Sequence, residues 1–197
     1  MKTILIVIVL VFAGAAYYFY DANTKAQSEL ANKLADISKE KEEEIAKLKG
    51  TYDELVAYMK NEIEKGQIKI VQLGDRLSVI MADKILFPSG ESEITPEGLK
   101  VLERVGSVLK NTQNKIIRVE GHTDSVQIHT QLQKKYPTNW ELSTARATNV
   151  VRFLQEKVGI EGEFLQPIGM SEYHPVASNE TPYGRSQNRR IEITLLP

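Results

Sequence analysis

The chain has 197 residues, with 25 Lys plus Arg against 26 Asp plus Glu and a formal net charge of −1. That balance argues against nucleic acid as the main partner, because neutralising its backbone needs clustered positive excess, and no nucleic acid is expected as partner. Cysteine is absent, which excludes disulfide frameworks, thiol catalysis, cysteine-ligated zinc and lipid attachment through a thiol. All seven prolines lie from Pro88 onward, and only four of the 12 glycines precede it. Long uninterrupted helix is therefore possible at the front, and the turns belong to the back.

Thr3–Tyr20 is an uncharged apolar run after Lys2 and before Asp21. As a helix it spans roughly 27 Å, enough to cross a bilayer core. Residues 1–20 are expected to be an N-terminal membrane anchor, with Tyr17, Tyr18, Phe19 and Tyr20 as an interfacial belt. The alternative is a signal peptide cut near Ala13-Gly14-Ala15.

Residues 21–66 carry 11 acids against 8 lysines. Leu30, Leu34, Ile37, Ile45, Leu48, Tyr52, Leu55, Met59 and Ile63 recur at steps of 3 and 4, with a stutter between Ile37 and Ile45. Asp21–Lys25, Glu29–Lys33 and Glu43–Lys47 place an acid four residues before a base. A coiled-coil helical spacer is expected over 21–66. It would pair two copies, because a lone helix leaves that stripe wet.

Residues 67–197 have the size of one domain. Leu77, Val79 and Met81 alternate as a strand, and Lys84–Phe87 reads as its extended continuation into Pro88-Ser89-Gly90. Thr95-Pro96-Glu97 opens a helix with Leu99, Leu102, Val105 and Leu109 on its apolar face. Lys115–Glu120 is a short strand, and Asn139–Val158 is a second helix. Phe164–Met170 and Arg190–Leu196 complete a β-α-β-α-β-β order. The simplest packing is an α/β (α+β) sandwich, with a sheet on one side and two helices on the other.

Three clusters stand at strand ends or helix starts, where such folds place ligands. They are Gly121-His122-Thr123-Asp124, Asn139 to Ala147, and Asn188-Arg189-Arg190. Taken one by one, Asp124 could merely cap a turn and Arg146 could be a solvated helix residue. Together they carry a resemblance. The pattern Asn139-x-x-Leu142-Ser143-x-x-Arg146-Ala147-x-x-Val150-x-x-x-Leu154 resembles the signature of the OmpA C-terminal-like domain. Gly121 to Asp124, Phe87 with Gly90, Gly169, Pro175 with Asn179, and Arg185 with Asn188-Arg189-Arg190 fall at that family's other fixed positions. The resemblance covers residues 75–197, and the wording NWELSTARA is closer to the MotB branch.

The resemblance implies a non-catalytic domain that binds peptidoglycan at the meso-diaminopimelate of its stem peptide. It gives Asp124 the ligand's ammonium and Arg146 its carboxylate. Asn139 stands beside them, backbone N–H groups around Leu142 face an anion, and Thr123 and Arg189 line the wall. Arg189 and Arg190 should face opposite sides of a strand, and the sequence leaves open which one reaches the site.

No cofactor or metal is expected. His122, Asp124 and His129 lack metal-ligand spacing, and His122, Asp124 and Ser143 lack the elbow of a hydrolase triad. Trp140 reads as a helix anchor. The expected role is tethering the envelope to the wall, from the inner membrane with the domain in the periplasm, or as a periplasmic or outer-membrane protein if the leader is cut. The alternative is a MotB-like stator of an ion-driven motor. That mechanism needs a carboxylate inside the membrane helix, and Thr3–Tyr20 has none. The 125–138 insertion reads as a lid or a partner loop.

Overall fold

The computed structural model describes residues 2–112 and 115–196, with side chains of 2–5, 7–9 and 11 left aside. It divides into two compact units, residues 1–44 and 45–197. Helix α1 runs from Lys2 to Tyr58. The expected membrane run 3–20 falls in part on side chains outside the described ones. Among the described residues no helix is long and apolar enough to cross a membrane. Leu30, Leu34 and Ile37 of the first unit are exposed, a stripe without a partner in a single chain.

The second unit starts earlier than the composition suggested. Leu48, Leu55 and Met59, assigned to the spacer, are buried in the domain's own apolar cluster. After the short helix α2 (Lys60–Glu64), Gly66 takes φ +64° and turns the chain into the sheet. Arg104 fixes α2, pairing with Glu62 at 2.6 Å and donating to the Tyr58 carbonyl at 3.1 Å.

Among the described residues five strands form one sheet in the order β1-β2-β5-β3-β4. Strand β1 (Ile68–Leu73) was missed in the sequence. It is joined to β2 (Arg76–Ala82) by a two-residue loop whose first residue, Gly74, has φ +61°, the chemistry of a tight hairpin. The chain then departs from the expected extended run. Asp83–Leu86 is a helical turn, α3, with Asp83 N–H donating to the Arg189 carbonyl at 3.0 Å. Leu86 and Phe87 are thereby buried in the core. Three apolar residues in a row, Ile85 to Phe87, do not distinguish a strand from a buried turn.

Helix α4 (Pro96–Leu109) begins as expected, with the Thr95 hydroxyl accepting from Gly98 N–H at 3.0 Å and Pro96 in the first turn. Strand β3 (Ile116–His122), helix α5 (Asn139–Phe153) and strand β4 (Leu165–Ser171) form a parallel crossover. Beyond Phe153 the helix widens and ends at Gly159, φ +80°. Helix α6 (Pro182–Asn188) leads into β5 (Arg190–Leu196), antiparallel to both β2 and β3.

Side chains alternate across this sheet. On the inner face three rows line up from β2 through β5 to β3: Leu77–Leu195–Ile117, Val79–Ile193–Val119, and Met81–Ile191–Gly121. The apolar members of these rows are buried against α4, α5 and the end of α1. Only the third row ends in a glycine. Gly121 is paired with Gly169 of β4. A Cβ at Gly121 would strike the Ser143 carbonyl, and one at Gly169 would strike the Thr144 hydroxyl and the Ser143 Oγ. The start of α5 rests on bare backbone there.

Gly121→Ala or Gly169→Ala should destabilise the fold by about 3 kcal/mol through overpacking. A thermal melt should fall by about 6–12 °C for a chain of this size. Gly50, exposed with open space around it, is the control, and Gly50→Ala should leave the melt unchanged or raise it slightly.

Candidate functional site

The bare seat sets where the polar end of α5 sits. Ser143 is fully buried, donating to the Trp140 carbonyl at 3.0 Å and accepting from Ser171 N–H at 3.1 Å. With its hydroxyl engaged twice by backbone, it is a rivet between helix and sheet and not a nucleophile. Thr138 and Glu141 close a capping box, with Thr138 N–H donating to Glu141 Oε2 at 2.8 Å and Trp140 N–H donating to Thr138 Oγ1 at 3.1 Å. This start signal lies in the sequence as Thr-x-x-Glu. Asn139, Leu142 and Arg146 are thus delivered to the ends of β3 and β4.

Asp124, 6% exposed, follows β3. Its Oδ1 accepts from Val126 N–H at 3.0 Å, and its Oδ2 pairs with Arg189. Arg189 therefore reaches the site. Its side chain is 40% exposed, whereas Arg190 points to the other side and donates to the His174 carbonyl at 3.3 Å.

Arg146 is 2% exposed and is partnered by Asp83, not by Asp124. Its Nη1 pairs with Asp83 at 2.9 Å, its Nε donates to the Glu91 carbonyl at 2.8 Å, and the guanidinium lies 5.0 Å from the centre of the Phe87 ring. Guanidinium stacking on an aromatic face is favourable and fixes its plane.

Asp83, Arg146, Asp124 and Arg189 still act on one another. Burial pushes the Asp83 carboxyl up to about 6, against the pull of Arg146 and Arg189 and with a further push from Asp124. Two acids and two guanidiniums thus form one cluster of alternating charge. Asp83 was not foreseen, because its place depends on the turn at α3 that the sequence disguised.

Asn139 is buried and its Nδ2 lies 3.2 Å from the Asp124 carbonyl, 3.1 Å from the Val126 carbonyl and 2.6 Å from Glu172 Oε2. Two N–H bonds are shared among three acceptors, which ties β3, α5 and β4 together at the site. Thr123 is buried, its N–H on the Ser171 carbonyl at 2.9 Å and its hydroxyl without a partner among the described residues. Leu142 is buried, but its N–H is turned to the Thr138 carbonyl at 3.4 Å and does not face an anion. Glu172 was also unforeseen. It follows Ser171, which has φ +52°, a left-handed turn that no sequence period announces.

The insertion 125–138 is anchored by buried Tyr136, whose hydroxyl meets Ser92 Oγ at 2.6 Å. Lys135 pairs with Glu91 at 2.9 Å. Its far end is thereby fastened to the segment that holds Arg146. His122 lies on the opposite sheet face and not with Asp124 and His129. There Glu120, His122 and Glu192 bring ligand atoms within 4.8 Å of one another. His122 holds Glu120 below the ordinary carboxylate range. Arg118 and Arg190 stand 3.9 Å from Glu120 and Glu192, so the two carboxylates already face two guanidiniums.

Comparison with known proteins agrees with this architecture. The chain is 30% identical over 150 residues to Motility protein B of Bacillus subtilis, covering 76% of this chain and 56% of that protein. It is 28% identical over 123 residues to Peptidoglycan-binding protein ArfA of Mycobacterium tuberculosis, covering 62% of this chain and 35% of the relative. The chain thus spans little more than half of the first relative's length and about a third of the second's. Among solved structures, the cell wall anchor of the T6SS from Pseudomonas aeruginosa superposes with a TM-score of 0.65 at 30% identity, covering 72% of this chain and 96% of that one. A putative MotB like protein from Desulfovibrio vulgaris gives 0.71 at 28% identity, covering 79% and 94%. Residues 86–189, just over half of the chain, match the OmpA family, and the chain belongs to that family.

Proposed function

We propose that this protein binds peptidoglycan without catalysis, through a zwitterionic end of the stem peptide such as that of meso-diaminopimelate. The observation that carries the reading is the cluster of alternating charge. Arg189 stands on Asp124 as a ligand ammonium would, and Asp83 stands on Arg146 as a ligand carboxylate would. A zwitterion that displaces both exchanges like for like. Asp124 and Arg146 then keep a partner each, Arg189 goes to solvent, and the displaced Asp83, which stays buried, takes up a proton, because an unpaired buried charge costs several kcal/mol. Arg189, half out in solvent, is free to leave. Arg146 has Nε and Nη1 engaged, and Nη2 completes the fork for a carboxylate. The Thr123 hydroxyl is a further donor at the wall. The names of the relatives, a peptidoglycan-binding protein and a cell wall anchor, point the same way.

In this reading residues 1–20 hold the chain in the inner membrane, and residues 21–44 hold the domain away from it. The exposed stripe Leu30, Leu34, Ile37 is covered by a second copy. A motor-stator role rests on the likeness to Motility protein B and to a putative MotB like protein, and the apolar run offers no acid to carry an ion.

The full chain in detergent should pellet with diaminopimelate-type sacculi. Asp124→Asn and Arg146→Gln should each weaken that binding by at least about 30-fold, because breaking one side of a buried charge pair costs roughly 2–5 kcal/mol. Wild-type protein that stays in the supernatant would overturn the reading.

Asp83 gives the binding a pH dependence. Its carboxyl, at about 6 in the fold, lies above the ordinary ~3.9. The native state therefore takes up this proton first. The stability it contributes is complete below about pH 4 and lost as pH rises through 6. Protonation also loosens Asp83 from Arg146. Affinity for a zwitterionic peptide should rise several-fold from pH 7.5 to 5.5. Asp83→Asn should bind tightly at pH 7.5 and show no such rise, as isothermal titration would read.

Chemical crosslinking of membranes should trap a dimer. Leu30→Lys with Leu34→Lys should return it to monomer while alkaline-washed membranes still retain the chain. Dimers in the double variant would show that the stripe is not the pairing face.

A further inference from the structure

We infer that Trp140 and Tyr173 form a stacking platform for a sugar ring, the glycan subsite of the peptide clamp. The inference rests on the peptidoglycan reading and extends it from the peptide to the sugar. Trp140 was expected to anchor α5. Instead it is 47% exposed, and Tyr173 is 63% exposed. Their ring centroids lie 5.5 Å apart with planes 30° from parallel. The pair is stacked yet shows much of its surface to solvent.

The local backbone is built to hold these rings out. Ser171, φ +52°, occupies a left-handed conformation that is unfavourable for a non-glycine residue. Such strain persists where the surroundings enforce it, and here Ser143 Oγ holds the Ser171 N–H. The turn sends Glu172 inward to Asn139 at 2.6 Å and leaves the next residue, Tyr173, outward. Asn139 in turn is followed by Trp140. Each aromatic is thus one residue beyond a partner in a buried polar bridge, and that bridge also grips the carbonyl of Asp124. Platform and clamp share one support.

The surroundings select the occupant. A protein hot spot sits in a ring of near-neutral contacts that excludes water, whereas this pair is bordered along the chain by the exposed Thr138 and Glu141 and the half-buried Glu172. A pyranose has a face of C–H groups and a rim of hydroxyls. It matches a flat aromatic surface edged with acceptors and donors, as rings with one apolar and one wet side do. A residue third along an extended peptide lies within about 10 Å of the sugar that carries it. A peptide end held at Asp124 and Arg146 thus keeps its own sugar near the rim.

Trp140 is the only tryptophan, so intrinsic fluorescence reads the platform directly. The full chain in detergent would be titrated with a disaccharide-tripeptide muropeptide and with the free tripeptide, both ending in meso-diaminopimelate. The muropeptide should bind about tenfold tighter than the tripeptide and change the Trp140 emission. Trp140→Ala should erase that advantage and leave tripeptide affinity, read by calorimetry, within about twofold. Tyr173→Phe should keep it. Equal affinities of wild type for the two probes would overturn the platform and leave the clamp standing. An advantage that survives Trp140→Ala would also overturn it. Failure of wild type to bind even the tripeptide would remove the clamp reading and the platform with it.

Discussion

The close seat of α5 on the sheet is the constraint on which the rest depends. Gly121 and Gly169 face each other on parallel neighbours, and the Ser143–Thr144 backbone fills the space their side chains would take. Every other interior position of the three central strands carries a bulky side chain. The sheet is thus thick everywhere except at one end. The helix tips its N-terminus into that notch, and the polar residues of its first two turns arrive at the strand ends together. Ser143 then locks the approach by bonding Ser171 N–H. A single methyl group on either glycine would lift the helix and separate Asn139 and Arg146 from Asp124.

Burying charge beside this notch imposes a second constraint. Asp83, Asp124 and Arg146 are all nearly inaccessible, and isolated charges in such surroundings are not tolerated. The chain answers with two crossed pairs instead of one direct Asp124–Arg146 pair. That choice keeps the acid and the base apart. It also places the more exposed guanidinium, Arg189, on Asp124, and leaves Asp83 with its carboxyl pushed up to about 6 by burial.

Much of this was legible before any coordinates. The alternating Leu77, Val79 and Met81, the Thr95-Pro96 helix start and the Asn139-to-Ala147 motif carry local signals that the structure honours. Asp124, Asn139 and Arg146 were singled out because their motifs, at a strand end and a helix start, resemble a family signature. What escaped depended on long-range turns. Lys84–Phe87 reads as strand by composition, but its backbone turns at the Arg189 carbonyl from the far end of the chain, and Asp83 is placed by that turn. Glu172 and Tyr173 owe their directions to the left-handed Ser171, which no propensity announces. Trp140 was misjudged because aromatic residues usually bury, and its exposure follows from Asn139, not itself, being drawn into the bridge.

The root of α1 in the domain changes how the molecule is to be divided. Composition placed the boundary near residue 67, where lysine and glutamate give way to alternating apolar residues. Leu55 and Met59 nevertheless have no exposed surface, and Leu48 has little. Each such side chain contributes about 1.5–3 kcal/mol of burial, comparable in sum to the whole stability of a small domain. A domain cut at residue 67 would lose one wall of its core, together with the Glu62–Arg104 pair that holds α2 on α4. The helix is therefore a structural part of the domain from residue 45 onward.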